Sequence, residues 1–158
     1  MKLLRVGHKG KEKPALLDKE GKIRDISSHI IDLNPDYLNF ETISKLQNID
    51  LSLLPELSSS ERIGSCISKP GKFVAIGLNF SDHAKESGQP VPPEPIMFMK
   101  ATSCICGPND NIEIVSNSKK LDWEVELGII IGKEAKHIEQ NQSQNHILGY
   151  CLVNDVSE

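Results

Sequence analysis

A chain of 158 residues, 38% hydrophobic and 25% charged, has the make-up of an ordinary folded protein, with room for one domain and a small companion. Its formal net charge of −4 offers no basic footprint for nucleic acid, and no apolar run approaches the roughly 20 residues that a membrane helix needs. The start, Met1-Lys2-Leu3-Leu4-Arg5-Val6-Gly7, is too poor in apolar residues for a secretory signal, so a cytoplasmic protein without a membrane partner is expected.

Lys2–Val6 alternates weakly and reads as a strand. Residues 15–17 and 23–26 read as two more, joined by Asp18-Lys19-Glu20-Gly21, where Gly21 supplies the positive φ of a hairpin turn. Asn39 offers an N-cap to a short helix whose apolar positions are Phe40, Ile43 and Leu46. Between residues 50 and 69 the pattern loosens around Pro55, Ser58-Ser59-Ser60 and Pro70. This is the expected seam between a small α+β region, 1–61, and a second region, 62–158.

Phe73-Val74-Ala75-Ile76-Gly77 is a short apolar strand running into a predicted helix over 78–88, with polar N-cap candidates and a glycine stop at Gly88. A proline-rich loop over 89–95 leads to a strand at 96–100. Further strands are expected at 112–115, at Asp122-Trp123-Glu124-Val125-Glu126-Leu127-Gly128-Ile129-Ile130-Ile131-Gly132, and at 147–155, with a polar helix or loop over 140–145. Connections without helical periodicity speak against a doubly wound sheet, and no dinucleotide or Walker fingerprint occurs.

The acidic stretch carries the most chemical information. Side chains alternate across a strand, so Asp122, Glu124 and Glu126 share one face, and Trp123, Val125 and Leu127 share the other, which is free to bury. Neighbouring carboxylates repel unless a positive charge sits between them, and oxygen ligands suit a hard divalent cation; the alternative is a solvated strand face. Asp155 ends the apolar last strand and either joins a ligand set or caps a turn. His83 and Glu86 lie three residues apart on the predicted helix, hence on one face, as an acid–base pair or as a surface contact. The four cysteines, Cys66, Cys104, Cys106 and Cys151, lack the two-residue spacing of zinc or thioredoxin motifs and read as free buried thiols.

Four segments in order resemble the fumarylacetoacetate hydrolase family. They are Phe73 to His83 (Phe-Val-Ala-Ile-Gly-Leu-Asn-Phe-Ser-Asp-His), Pro95-Ile96-Met97-Phe98-Met99-Lys100, Asp122 to Gly128, and Gly149-Tyr150 with Asn154-Asp155-Val156-Ser157. The resemblance runs from about residue 62 onward, and the run is similar to bacterial members labelled ureidoglycolate lyase or 2-hydroxyhepta-2,4-diene-1,7-dioate isomerase. It implies a mainly β fold with some α, a mixed β-roll preceded by the small α+β N-terminal domain. It also implies a Mg²⁺ or Mn²⁺ ion on Glu124, Glu126 and Asp155, a catalytic pair of His83 and Glu86, and a homodimer. Lys100 matches a lysine that binds a substrate carboxylate or is simply solvated at a strand end, and Asp82 stands where some longer relatives place a further carboxylate ligand.

The activity implied is divalent-metal-dependent cleavage, hydrolytic or lyase-type, of a small 2-oxo or 2,4-dioxo carboxylic acid through a metal-stabilised enolate. An isomerase or decarboxylase of the same family is the alternative, as is an inactive fragment or a non-catalytic module. Family members usually continue well past the third ligand. The roll is therefore expected to be incomplete within residues 62–158, its remainder supplied by a continuation or by a separate chain, and residues 1–158 alone are expected to be inactive.

Overall fold

The computed structural model describes all 158 residues. The chain packs as two compact units, one made of Met1–Ser68 with Cys106–Glu158, the other of Lys69–Ile105.

In the first unit, strands β1 (Lys2–Val6), β2 (Lys13–Leu17), β3 (Ile23–Asp25) and β4 (Glu56–Leu57) form an antiparallel sheet in that order. The β2–β3 hairpin closes as its sequence dictates. Gly21 has φ +82°, and the Asp18 carboxylate accepts the Glu20 and Lys22 amides. Helix α1 (Phe40–Gln47) begins at Asn39, whose side chain accepts the Thr42 amide at 3.0 Å. Ala15 and Leu16 on β2 point to opposite faces and both are fully buried. Leu16 joins Ile26, Ile30, Leu33, Leu38, Leu46 and Leu54 in the main core, while Ala15 packs with Val6 and Ile23.

Ion pairs tie the following segment back onto this sheet, across the seam expected at residues 61 and 62. Arg62 grips Asp110 through two nitrogens, at 2.7 and 2.6 Å, and reaches Glu12 at 2.8 Å. The same Glu12 accepts from buried Arg5, which also holds Asp32 at 2.7 Å. A bidentate arginine favours the ionised carboxylate, and Arg62 pulls Asp110 down to about 2 from an ordinary value of 3.8. Because the folded value lies below the unfolded one, this pair stabilises fully above pH 4 and loses its contribution as the pH falls toward 2. Asp110→Asn should therefore melt below the wild type at pH 7, with the gap closing as acid is added. Thermal melts across that range check it, and a gap independent of pH would mean the pair is not the titrating contact.

The first unit also contains a two-stranded ribbon, β7 (Val125–Ile131) with β8 (Ile147–Asn154), bridged by a 3₁₀ turn over Gln140–His146. The second unit contains the antiparallel pair β5 (Val74–Gly77) and β6 (Ile96–Met99) and the one-and-a-half-turn helix α2 (Ser81–Glu86) between them. No helix is long and apolar enough to cross a membrane.

Three expectations are corrected. Residues 112–115 form no strand, since no neighbouring segment of the chain offers them a hydrogen-bonding ladder. Cys104 and Cys106 are exposed rather than buried, carried on and just after a 3₁₀ turn at Thr102–Cys104, while Cys66 and Cys151 are half-buried; all four are free thiols. Helix α2 is shorter than the predicted 78–88, and its N-cap is Phe80, which makes no side-chain capping bond. The residue before Asn79, Leu78, sits at φ +48°, a left-handed conformation that ends the approach from β5 abruptly.

Candidate metal and acid–base site

The register of β7 and β8 decides where the carboxylates fall. Val125 pairs with Asn154, which sets Glu124 opposite Asp155; the Asp155 amide donates to the Glu124 carbonyl at 2.8 Å. Glu126 lies opposite Val153. Directly paired residues of antiparallel strands project to the same side, as do residues two apart on one strand. Glu124, Glu126 and Asp155 consequently share one half-buried face of the ribbon.

Their side chains are not drawn into a group of three that could hold a metal ion as they stand. The donor set nonetheless has the chemistry of a hard divalent cation: carboxylate oxygens only, on one face, from flexible glutamates and a short aspartate.

The opposite face is where the expectation fails. Trp123, Val125 and Leu152 are 78%, 73% and 81% exposed, and Leu127, Ile129, Ile131 and Tyr150 are exposed with them. The alternation is as predicted but the covered side is the acidic one, where Cys151 and Val153 project with the carboxylates. An apolar face of this extent calls for cover by further protein.

The acid–base candidates lie in the second unit. Helix α2 sets His83 and Glu86 one turn apart on a common face, both exposed, with no hydrogen bond or ion pair between them. Ala84, the one buried residue of the helix, anchors it, and the Ser87 hydroxyl ties off its end by donating to the His83 carbonyl at 2.7 Å. Asp82 is in the first turn, where a carboxylate is favoured by the helix dipole. Strain at Leu78 marks the turn that delivers this helix from β5. Lys100 follows β6; its amide donates to the Phe73 carbonyl at 2.8 Å and its ammonium lies 5.9 Å from the centroid of the Phe98 ring.

One contributor had no role in the sequence reading. The Asn154 side-chain oxygen accepts the Glu124 amide at 3.2 Å and steadies the backbone from which that carboxylate projects. Its place beside Asp155 in the sequence was visible, but only the strand pairing shows which amide it meets. A surface depression lined by Ser27, His29, Tyr37 and Thr42, among others, contains none of these residues.

Residues 72–158, more than half of the chain, match the family model described as fumarylacetoacetate (FAA) hydrolase C-terminal. The chain belongs to the fumarylacetoacetate hydrolase family. All six candidates, His83, Glu86, Lys100, Glu124, Glu126 and Asp155, lie inside the matched segment. Among solved structures, the fumarylacetoacetate hydrolase of psychrophilic Exiguobacterium antarcticum superposes with a TM-score of 0.77 at 28% identity, over 99% of this chain and 56% of that one. A protein of Mycobacterium abscessus described as a probable 2-hydroxyhepta-2,4-diene-1,7-dioate isomerase gives 0.70 at 28% identity, over 99% and 52%. A Burkholderia ambifaria protein provisionally named a hydrolase is 52% identical over the whole of this chain, which spans 56% of its length. The chain thus spans little more than half the length of the curated relatives it matches. The mainly β fold expected from the sequence is that of this family.

Proposed function

We propose that this protein contributes to divalent-metal-dependent cleavage, by hydrolysis or a lyase reaction, of a small 2-oxo or 2,4-dioxo acid. The reading rests on one observation: the ribbon register sets Glu124, Glu126 and Asp155 on a single half-buried face inside the family-matched segment. Those three residues would hold the ion, Mg²⁺ or Mn²⁺. When bound, the ion supplies Lewis-acid polarisation of the substrate's carboxylate and keto oxygens.

The remaining work falls to the chain's own side chains. Solvent reaches His83 directly, so a ring nitrogen can take a proton from water as that water attacks the distal carbonyl. Glu86, one turn on along the same helix face, is the second member of the acid–base pair. Lys100 offers a cation to a substrate carboxylate.

A second reading, isomerisation, is favoured by the likeness to the M. abscessus protein. It shares enolisation of the substrate and differs in keeping the carbon skeleton intact. Assays with Mg²⁺ in a full-length context that supplies the rest of the roll, against acylpyruvates, oxaloacetate and a 2-hydroxy-2,4-dienedioate, distinguish the two. Release of pyruvate is the expected result. An ultraviolet shift of the diene without any C–C cleavage would replace cleavage by isomerisation, and no metal-dependent change in any substrate would reduce the chain to a non-catalytic module.

A further inference from the structure

The pairing of β7 with β8 breaks off where two of the carboxylates stand opposite each other. Regular pairing starts at Val125 and Asn154. Beyond it, Asp122 and Ser157 form an isolated bridge in which each amide donates to the other residue's carbonyl, at 2.9 and 3.2 Å. The register is the same on both sides of the gap, so no extra residue has been inserted and the break is not a bulge. In antiparallel strands, pairs that exchange two hydrogen bonds alternate with pairs that exchange none. Glu124 and Asp155, two residues in from the bridge, are therefore placed to exchange two. One is made, from the Asp155 amide to the Glu124 carbonyl at 2.8 Å. The Glu124 amide instead donates to the side-chain oxygen of Asn154, at 3.2 Å.

That exchange of acceptor bears on the ligands. A closed ladder fixes the separation of its strands at every pair, and with it the separation of the side chains that project from them. Asn154 satisfies an amide that would otherwise need the ladder, so this pair is held by one ladder bond and one side chain.

We propose that Asn154 is a positioning residue for the divalent ion: by taking the Glu124 amide it holds the ribbon open at Glu124 and Asp155, setting the spacing of these two ligands and hence the choice of ion. The inference rests on the metal reading of the carboxylate face and adds its selectivity. Mg²⁺ demands near-ideal octahedral geometry at about 2.0–2.1 Å, whereas Ca²⁺ accepts longer and more variable oxygen contacts. Ligand spacing separates the two ions, while negative charge attracts both. Asn154 carries no charge, so its contribution is read in the preference between them. Without its oxygen, the Glu124 amide turns to the acceptor that a regular ladder offers, the Asp155 carbonyl, and the opening closes.

Calorimetric titration of Mg²⁺ and of Ca²⁺, in a full-length context that supplies the rest of the roll, tests this beside thermal melts of the metal-free protein. Asn154→Ala should lose Mg²⁺ affinity by about 10–100-fold, the usual cost of removing a group that orients a metal ligand, and melt as the wild type does. Its Ca²⁺ affinity should fall clearly less. Asn154→Asp keeps an acceptor oxygen and should retain the wild-type preference for Mg²⁺ over Ca²⁺, whatever its added charge does to both affinities. Unchanged Mg²⁺ affinity in Asn154→Ala would overturn the proposal. So would equal loss of both ions with a lower melting temperature, which marks a structural role, or a preference lost as fully in Asn154→Asp as in Asn154→Ala. Each of these leaves the metal reading standing. A wild-type protein that binds neither ion would remove that reading and the proposal together.

Discussion

Replacing His83 by alanine should lower turnover by about 10²–10⁴-fold, the usual worth of a positioned acid–base group, and leave divalent-metal affinity unchanged. The separation is expected because the two parts of the chemistry are carried by different elements. His83 projects from α2, held by buried Ala84, whereas the carboxylates project from the β7–β8 ribbon. Alanine is a strong helix former and His83 makes no side-chain contact that anchors the helix, so the substitution should not unfold it. Steady-state kinetics with Mg²⁺, set beside calorimetric titration of the metal, check the prediction. Lost metal affinity would make His83 a ligand, and unchanged turnover would leave the pair with Glu86 as a surface contact.

Removing one charge from the carboxylate face should act in the opposite way. Glu126→Gln or Glu124→Gln is expected to weaken Mg²⁺ or Mn²⁺ binding more than about tenfold, with activity falling in step, because ligand charge sets the affinity of such oxygen sites. The variants keep shape and backbone pairing: the Glu124 carbonyl still accepts the Asp155 amide, and its own amide still donates to Asn154. Asp122→Asn is the control. Asp122 belongs to the same alternating series, but it is exposed and its carboxylate accepts the neighbouring Trp123 amide, so the control should bind metal normally. Wild-type affinity in both glutamine variants, measured by calorimetry in protein that melts as the wild type does, would remove these two residues from the ligand set.

Local signals in the chain were read well wherever the physics is local. Gly21 forms its turn because only a few residues on either side decide its φ, and Asn39 caps α1 because its side chain needs an amide only three residues on. The same holds for His83 and Glu86, whose common face follows from helix geometry alone, and for the alternation that puts Glu124 and Glu126 together. The family motif reached Asp155 as well. That it stands opposite Glu124 is a matter of strand register between segments some thirty residues apart, which no local pattern specifies.

The misses share a cause. Residues 112–115 have strand composition but no ladder partner, and backbone hydrogen bonding across a sheet is a property of two segments. Cys104 and Cys106 look like core residues by type and lie at the surface because the turn carrying them does. On β7, alternation separates an acidic face from an apolar one without saying which is covered. By sequence alone this protein declared its hairpin, its capped helix, the pairing of its chemistry-bearing residues along single elements, and its family. The tertiary structure alone decided that Asp155 stands opposite Glu124 and that Trp123, Val125 and Leu152 face outward. Those outcomes depend on contacts between distant segments, whose free energy is set by packing and register and not by any residue's own preference.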